Sequence, residues 1–373
     1  MANRFLTTHA GSLPRPVHLA TMLAEVAAGT RAHDCAVDDA VRGAVIQSVA
    51  DQVKVGIDIA NDGEMGKINY ADYAAERLTG FSAERVPRTG ISPDLVDFPE
   101  YAKTLKQKTA VIASPICEGP VKHTGSDAVQ KDCEHLRAAA EGKGVSELFL
   151  TAASPGVITR FAEDRFYGSH EAYLADVAEA MKFEYDAIHR AGFILQLDCP
   201  DLTGNRPIKG AGEGTSYINL HVEALNHATR DIPPDRMRIH LCWGNYEGPH
   251  HTDIPLRRIV DSVLRARPSG LSFEAANPRH QHEWVVFTEI KVPEDKVLIP
   301  GVIDTTTHFI EHPELVAQRL VRFASIVGKR RVIAGTDCGM ATFSGWNVID
   351  PRISLAKLSA MSEGAALATL HVT

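Results

Sequence analysis

From about residue 193 onward, short apolar runs alternate with longer amphipathic stretches at regular spacing. FILQLDCP, MRIHLCWGN, GLSFEAAN, KVLIPGVID and RVIAGTDCGM read as buried strands that end in polar residues. Between and after them, SYINLHVEALNHATR, IPLRRIVDSVLRAR, HEWVVFTEI, HPELVAQRLVRFASIVG and PRISLAKLSAMSEGAALATL carry the apolar spacing of helices with one face on a core. The first part of the chain repeats the pattern less evenly. FLTTHAGSLPRP is a strand running into a loop at Gly11, Pro14 and Pro16, two helical stretches follow, and GIDIANDGE is a second buried run. SELFLTAASPG is a third, followed by a helix over about 170–191.

Counted this way, about eight strands alternate with helices, ending near Ser12, Glu64, Ala153, Asp198, Cys242, Glu274, Asp304 and Cys338. That number and order predict a (β/α)8 TIM barrel, an α/β fold in which 1–373 form a single catalytic domain. A doubly wound open sheet is the alternative, but no glycine-rich phosphate loop follows the first strand, and GAGEG at 210–214 follows no strand. Residues 83–146, rich in Pro, Lys, Glu and Gly with one β-like run at TAVIASPI, break the rhythm and read as an insertion.

Charge and cysteine usage narrow the partners. With 39 basic and 47 acidic residues among 373, and no long block of one sign, the net charge of −8 gives no footprint for nucleic acid. No apolar stretch is long enough for a bilayer and the start lacks a secretory pattern, so a cytoplasmic protein is expected, with homo-oligomerisation left open. Six scattered cysteines are expected to be thiols or ligands and not a disulfide scaffold.

A barrel brings the carboxyl ends of its strands together over one mouth, so Ser12, Glu64, Asp198, His240, Cys242, Glu274, Asp304 and Cys338 should converge. Within this set His240 and Cys242 stand two residues apart, on one side of a strand end. With Glu274 and Cys338 they make a nitrogen, sulfur, oxygen and sulfur set of the kind that holds Zn2+ tetrahedrally. A zinc centre of this composition would ionise a thiol brought to it, and the thiolate is the nucleophilic form. The bland readings are a hydrogen-bonded core histidine at 240 and helix-capping carboxylates at Glu64 and Asp198. His250, His251, His280 and His282 read as surface histidines, because no thiol or carboxylate accompanies them in sequence.

TTHAGSLPRP, NDGE (61–64), QLD (196–198), HLC (240–242), Glu274, GVID (301–304) and GTDCG (335–339), taken in order, resemble the catalytic half of the cobalamin-independent methionine synthase family. The resemblance spans the chain and corresponds to a single-barrel member. It implies zinc on His240, Cys242, Glu274 and Cys338, a homocysteine-like thiol acceptor held by Ser12, Glu64 and Asp198, and methyl transfer from a methyltetrahydrofolate-type donor. Asp304 and His308 are the candidates for handling the leaving-group proton. His9 is placed with the substrate-binding residues, between proton handling and polar packing. Three departures bear on the donor: Thr306 stands where the family has a histidine, Cys199 replaces a glutamate, and TAASPGVITRFAEDRFY offers Phe161, Phe166 and Tyr167 but no tryptophan for a pterin to stack on. Relatives that join epoxides to coenzyme M are the alternative, with Arg15, Lys67 or Arg160 for the sulfonate, as are other methyl donors such as methylated thiols or corrinoid proteins. A non-catalytic zinc-binding barrel is the remaining alternative.

Overall fold

A computed structural model of the chain describes residues 4–87, 92–108, 113–125, 127–203, 214–342 and 349–372. The strands are β1 (Leu6–Thr7), β2 (Ile59–Ala60), β3 (Phe81–Pro87), β4 (Ala113–Cys117), β5 (Glu147–Ala153), β6 (Glu163–Asp164), β7 (Ile194–Asp198), β8 (Met237–His240), β9 (Gly270–Phe273), β10 (Val297–Ile303) and β11 (Ile333–Thr336). The helices are α1 (Val17–Ala27), α2 (Cys35–Lys54), α3 (Tyr70–Arg77), α4 (Pro93–Val96), α5 (Pro99–Lys108), α6 (Ala128–Ala140), α7 (Pro155–Phe161), α8 (His170–Arg190), α9 (Gly214–Ala228), α10 (Leu256–Val263), α11 (Val286–Glu289), α12 (Pro313–Val327) and α13 (Pro351–His371).

Eight strands form one parallel sheet in the order β1-β11-β10-β9-β8-β7-β5-β2. Its two ends meet where the Asp58 amide donates to the Thr7 carbonyl (3.2 Å), so the sheet is a nearly closed (β/α)8 barrel. Strands β8 and β9 are covered on both faces and buried at every position, their polar members Arg238, His240 and Ser272 included. The outer helices earn their places locally. Ser169 accepts from Ala172 N at the start of α8, whose buried Tyr173, Val177, Met181 and Ile188 recur every three to four residues. Pro313 and Pro351 open α12 and α13 just inside capping His312 and Asp350.

The stretch 83–146 divides in two. Strand β4 pairs antiparallel with β3 and parallel with β6 in a small side sheet, and this part is the expected excursion. Helix α6 instead packs on α2 and α8 in the outer ring, so the end of the stretch is regular barrel structure. The excursion also reaches the mouth. Asp94 in α4 accepts from the Tyr246 hydroxyl and from His250 N (2.9 Å), and His251 Nε2 meets Asp97 Oδ2 at 2.9 Å, so α4 and its end hold the loop that follows β8. GAGEG lies outside the described residues apart from Gly214, the first residue of α9.

Inside the barrel, Arg238 on β8 is buried with its guanidinium 3.7 Å above the Phe149 ring. It donates to Gln196 Oε1 (2.8 Å), Thr8 Oγ1 (2.9 Å) and the His9 carbonyl (3.0 Å), tying together β8, β7 and the β1 end. Burial pushes its pKa down to about 9, and every donor bond made to neutral acceptors offsets part of that desolvation. Arg238→Ala would leave three buried acceptors unpaired beside a cavity, and is expected to cost about 3 kcal/mol or more in urea unfolding. A loss below about 1 kcal/mol would show that the network is dispensable.

Candidate metal centre and substrate cleft

His240 ends β8, Cys242 lies two residues on, and Cys338 lies two residues beyond β11. One ligand atom from each falls within 4.8 Å of the others, and among the described residues this is the one group of three or more His, Cys, Asp or Glu side chains able to hold a metal ion. The two sulfurs are 3.4 Å apart, too far for a disulfide near 2.05 Å and close enough to share a cation. His240 Nδ1 meets Ser272 Oγ at 3.1 Å, while its Nε2 is buried without a hydrogen-bond partner. With the proton assigned to Nδ1, the Nε2 lone pair is left to a ligand of another kind. The Cys338 hydrogen bond, followed by His240, holds the Cys242 thiol well below its ordinary range, while the same bond raises Cys338. The two thiols are thus driven in opposite directions by the one bond between them. Buried donors of this type, one of them already driven toward thiolate, fit a divalent soft-to-borderline cation, and zinc meets that description.

Glu274 is buried beside this group without joining its tight cluster. Oε1 accepts from Trp243 N (2.8 Å) and Oε2 from Asn277 Nδ2 (2.8 Å). Burial first, and the neighbouring Cys242 second, push its carboxyl well above the usual range. The structure thus assembles three of the four expected ligands and holds the fourth alongside them.

At the same carboxyl-terminal end of the barrel a cleft is lined by Glu64, Lys67, Asn69, Tyr73, Thr151, Ala152, Ala153, Asp198 and Thr342. Ser12 stands at its edge near Cys338: a Cβ placed on Gly339 would be 1.9 Å from Ser12 Oγ, so glycine alone lets the two strand ends approach. Glu64 sits at φ +55°, a left-handed conformation unusual for its residue type. Its N–H donates to Asp62 Oδ1 (2.9 Å) and its carbonyl accepts from Arg15 Nη2 (2.6 Å), which fix the turn that aims it. Asp198 accepts from Gln196 Nε2 at 2.8 Å. The carboxylates do not stand apart from basic groups. Lys67 lines the same cleft, its Nζ donating to the Thr151 hydroxyl (2.8 Å) and carbonyl. Arg15 is buried and committed to the carbonyls of Glu64, Lys67 and Ala341, and Arg160 Nη1 donates to Pro200 O at 2.5 Å.

Three other candidate residues have surroundings that bear on their roles. His9 is buried, its Nε2 meeting Gln52 Oε1 (2.8 Å) and its Nδ1 accepting from Gly11 N (3.2 Å). Burial lowers its pKa to about 4, so it is a neutral strut between β1 and α2 with both nitrogens used. Asp304 Oδ1 accepts from Thr306 N and Oγ1, each at 2.8 Å, which shapes its own loop. His308 is exposed in that loop. Of the aromatic residues considered for a donor, Tyr167 is engaged by Val121 N and Asp176, and Phe166 is half exposed.

The histidines read as superficial split by role. His251 and His282 are exposed, but His250 and His280 are buried and converge on Asp253 Oδ2 at 2.9 and 3.2 Å. The His280 ring lies 4.4 Å from Trp243, and its acidic neighbours Asp253 and Glu283, opposing its burial, raise its pKa to about 10. Glu274 is a further acidic neighbour that favours the charged form of His280. Each of the two buried histidines has an acidic partner three residues on, Asp253 and Glu283, and only the link from His280 to Asp253, 27 residues apart, joins the two histidines.

Burial first, then Asp198, raises the Glu64 carboxyl from 4.5 to about 7. The native state therefore keeps a proton between about pH 4.5 and 7 that the unfolded chain has released, so this group lowers stability as pH rises through that window. Glu64→Gln is expected to gain on the order of 1–3 kcal/mol relative to the parent at pH 8 and little at pH 4, while losing affinity for a cationic substrate group. Parallel stability-versus-pH curves for the two proteins would contradict this.

The sequence matches the profile of the family described as "Cobalamin-independent synthase, Catalytic domain" over residues 5–92 and 100–363. It is 24% identical over 361 residues to a protein named methionine synthase from Saccharolobus solfataricus, covering 96% of this chain and 93% of that one. A methionine synthase from Thermococcus kodakarensis is 22% identical over 330 residues, 88% of this chain and 83% of the relative. Among solved structures, a B12-independent methionine synthase from a Shewanella species in complex with selenomethionine superposes with a TM-score of 0.72 at 20% identity, covering 99% and 98% of the two chains, a likeness of fold. No described helix is long and apolar enough to cross a membrane. With the family profile spanning nearly all of a barrel whose strand ends gather His240, Cys242 and Cys338, the chain belongs to the cobalamin-independent synthase catalytic-domain family of methyltransferases.

Proposed function

We propose that this protein transfers a methyl group to the sulfur of homocysteine, giving methionine, with zinc held by His240, Cys242 and Cys338 and completed by Glu274 or by the incoming thiol. The observation that carries the reading is the orphaned, buried Nε2 of His240 facing two sulfurs 3.4 Å apart. Bound zinc would supply the Lewis acidity that keeps an acceptor thiol ionised near neutral pH. The protein's own groups do the remaining work. Glu64 and Asp198 offer negative charge to an ammonium group, and Lys67 and Ser12 offer donors to a carboxylate, so the cleft complements an amino acid carrying both. Holding the acceptor's ammonium and carboxylate in the cleft while a metal at the same mouth takes its sulfur would fix the nucleophile for in-line attack on a methyl carbon.

The donor is assigned as a methyltetrahydrofolate-type compound on the family likeness. Its leaving nitrogen needs a proton, and the β10–α12 loop with Asp304 and His308 is the assigned source. A sulfonate acceptor such as coenzyme M is less well served. Arg15 and Arg160 are tied to carbonyls, and Lys67 shares its cleft with two carboxylates.

Mass spectrometry of a reaction containing homocysteine and methyltetrahydrofolate tests this. Methionine should form, disappear after chelation and return with zinc, and Cys242→Ser should lower the rate by about 100-fold or more. Transfer to coenzyme M with none to homocysteine would contradict the acceptor. Methionine formed only from a methylated thiol or a methylated corrinoid protein would contradict the donor.

A further inference from the structure

One buried carboxylate collects the backbone of the segment that carries Glu274. Asp337 Oδ1 accepts from Ala275 N and Ala276 N, both at 2.8 Å. Its Oδ2 accepts from Asn277 N (2.8 Å) and from Asn277 Nδ2 (2.9 Å), and the same Nδ2 also donates to Glu274 Oε2 at 2.8 Å. Asp337 N in turn donates to the Ile303 carbonyl (2.9 Å), so the residue joins the ends of β9, β10 and β11. The fit is close: a Cβ on Gly301 would stand 2.0 Å from Asp337 Oδ1, which gives the glycine of GVID a physical reason.

Asp337 immediately precedes Cys338, and Glu274 immediately precedes the amides it binds. Glu274 also holds Trp243 N, the amide next to Cys242. We propose that Asp337 is a positioning residue for the metal centre, a clamp that fixes the Cys338 sulfur relative to Glu274 and, through Glu274, to Cys242. The inference rests on the metal reading above, and it adds Asp337, Asn277 and Gly301 to the residues that shape the centre. The carboxylate is suited to this because four donors converge on it from one segment, and only an ionised group with two acceptor oxygens satisfies all four. An asparagine keeps the shape and gives up one acceptor oxygen.

Cobalt(II) is the probe, because its visible bands report ligand geometry independently of turnover. The metal-free parent protein should bind one cobalt with thiolate-to-metal absorption and tetrahedral d–d bands. Asp337→Asn, with an unchanged far-ultraviolet circular dichroism spectrum, should bind about 10- to 100-fold more weakly and with displaced d–d bands. Asn277→Ala keeps the three backbone bonds to Asp337 and removes the side-chain bridge between Asp337 and Glu274, together with the Oδ1 acceptor of Arg279 N and His280 N, so it should show a smaller change in the same direction, and it carries the test if Asp337→Asn does not fold. A parent protein without thiolate-to-cobalt absorption would overturn the metal reading itself. Normal absorption in the parent with unaltered affinity and bands in the folded variants would overturn the clamp alone.

Discussion

Cys242 and Cys338 are 96 residues apart in sequence and 3.4 Å apart in space, and that approach exists only because eight parallel strands close on themselves. Each sulfur sits just past its own strand, so the separation is set by β8 and β11 and by everything that fixes their register. Two sulfurs driven this close repel as thiolates unless a proton or a cation joins them. The opposed shifts of the two thiols express that constraint, with Cys242 lowered and Cys338 raised by the bond they share. In this sense the fold creates a demand for positive charge, and the orphaned His240 nitrogen shows where a cation would meet it.

The surrounding structure is arranged to hold that demand in place. Asp337 gathers the amides after β9, Ser272 orients His240, and the Asp253, His280 and Glu283 group braces Trp243 beside the centre. The excursion between β2 and β5 contributes from outside. Its Asp94 pins the loop that follows Cys242, so a segment absent from the bare barrel pattern supports the strand end on which chemistry depends. At the same end of the barrel, the cleft pairs two carboxylates with Lys67 and draws Glu64 toward neutrality, a cost in stability placed where a cationic group would offset it.

Much of this was legible in sequence because the signals are local. Buried strands alternating with amphipathic helices gave the barrel, and a two-residue spacing put His240 and Cys242 on one side of a strand end. Motif order then supplied Glu64, Asp198 and Cys338. What escaped reading depends on partners far along the chain. His9 looks like a functional histidine until Gln52 and the Gly11 amide occupy both nitrogens. His250 and His280 look superficial until Asp253 stands between them. Asp337 was visible only as a neighbour of Cys338, since the four donors that define it come from 60 to 62 residues away. Position 308 shows the reverse: a histidine near the expected place in sequence is exposed in its loop, and proximity along the chain did not make it part of the cluster.

The central claim is that the His240, Cys242 and Cys338 group is a metal centre whose open side takes the acceptor thiol. X-ray absorption at the zinc edge, with metal content measured on the same samples, addresses it most directly. One zinc per chain with two sulfur neighbours, rising to three when homocysteine is added, is the predicted result. Absence of metal, or two sulfurs with and without the thiol, would contradict the account and return the function to the carboxylates of the cleft.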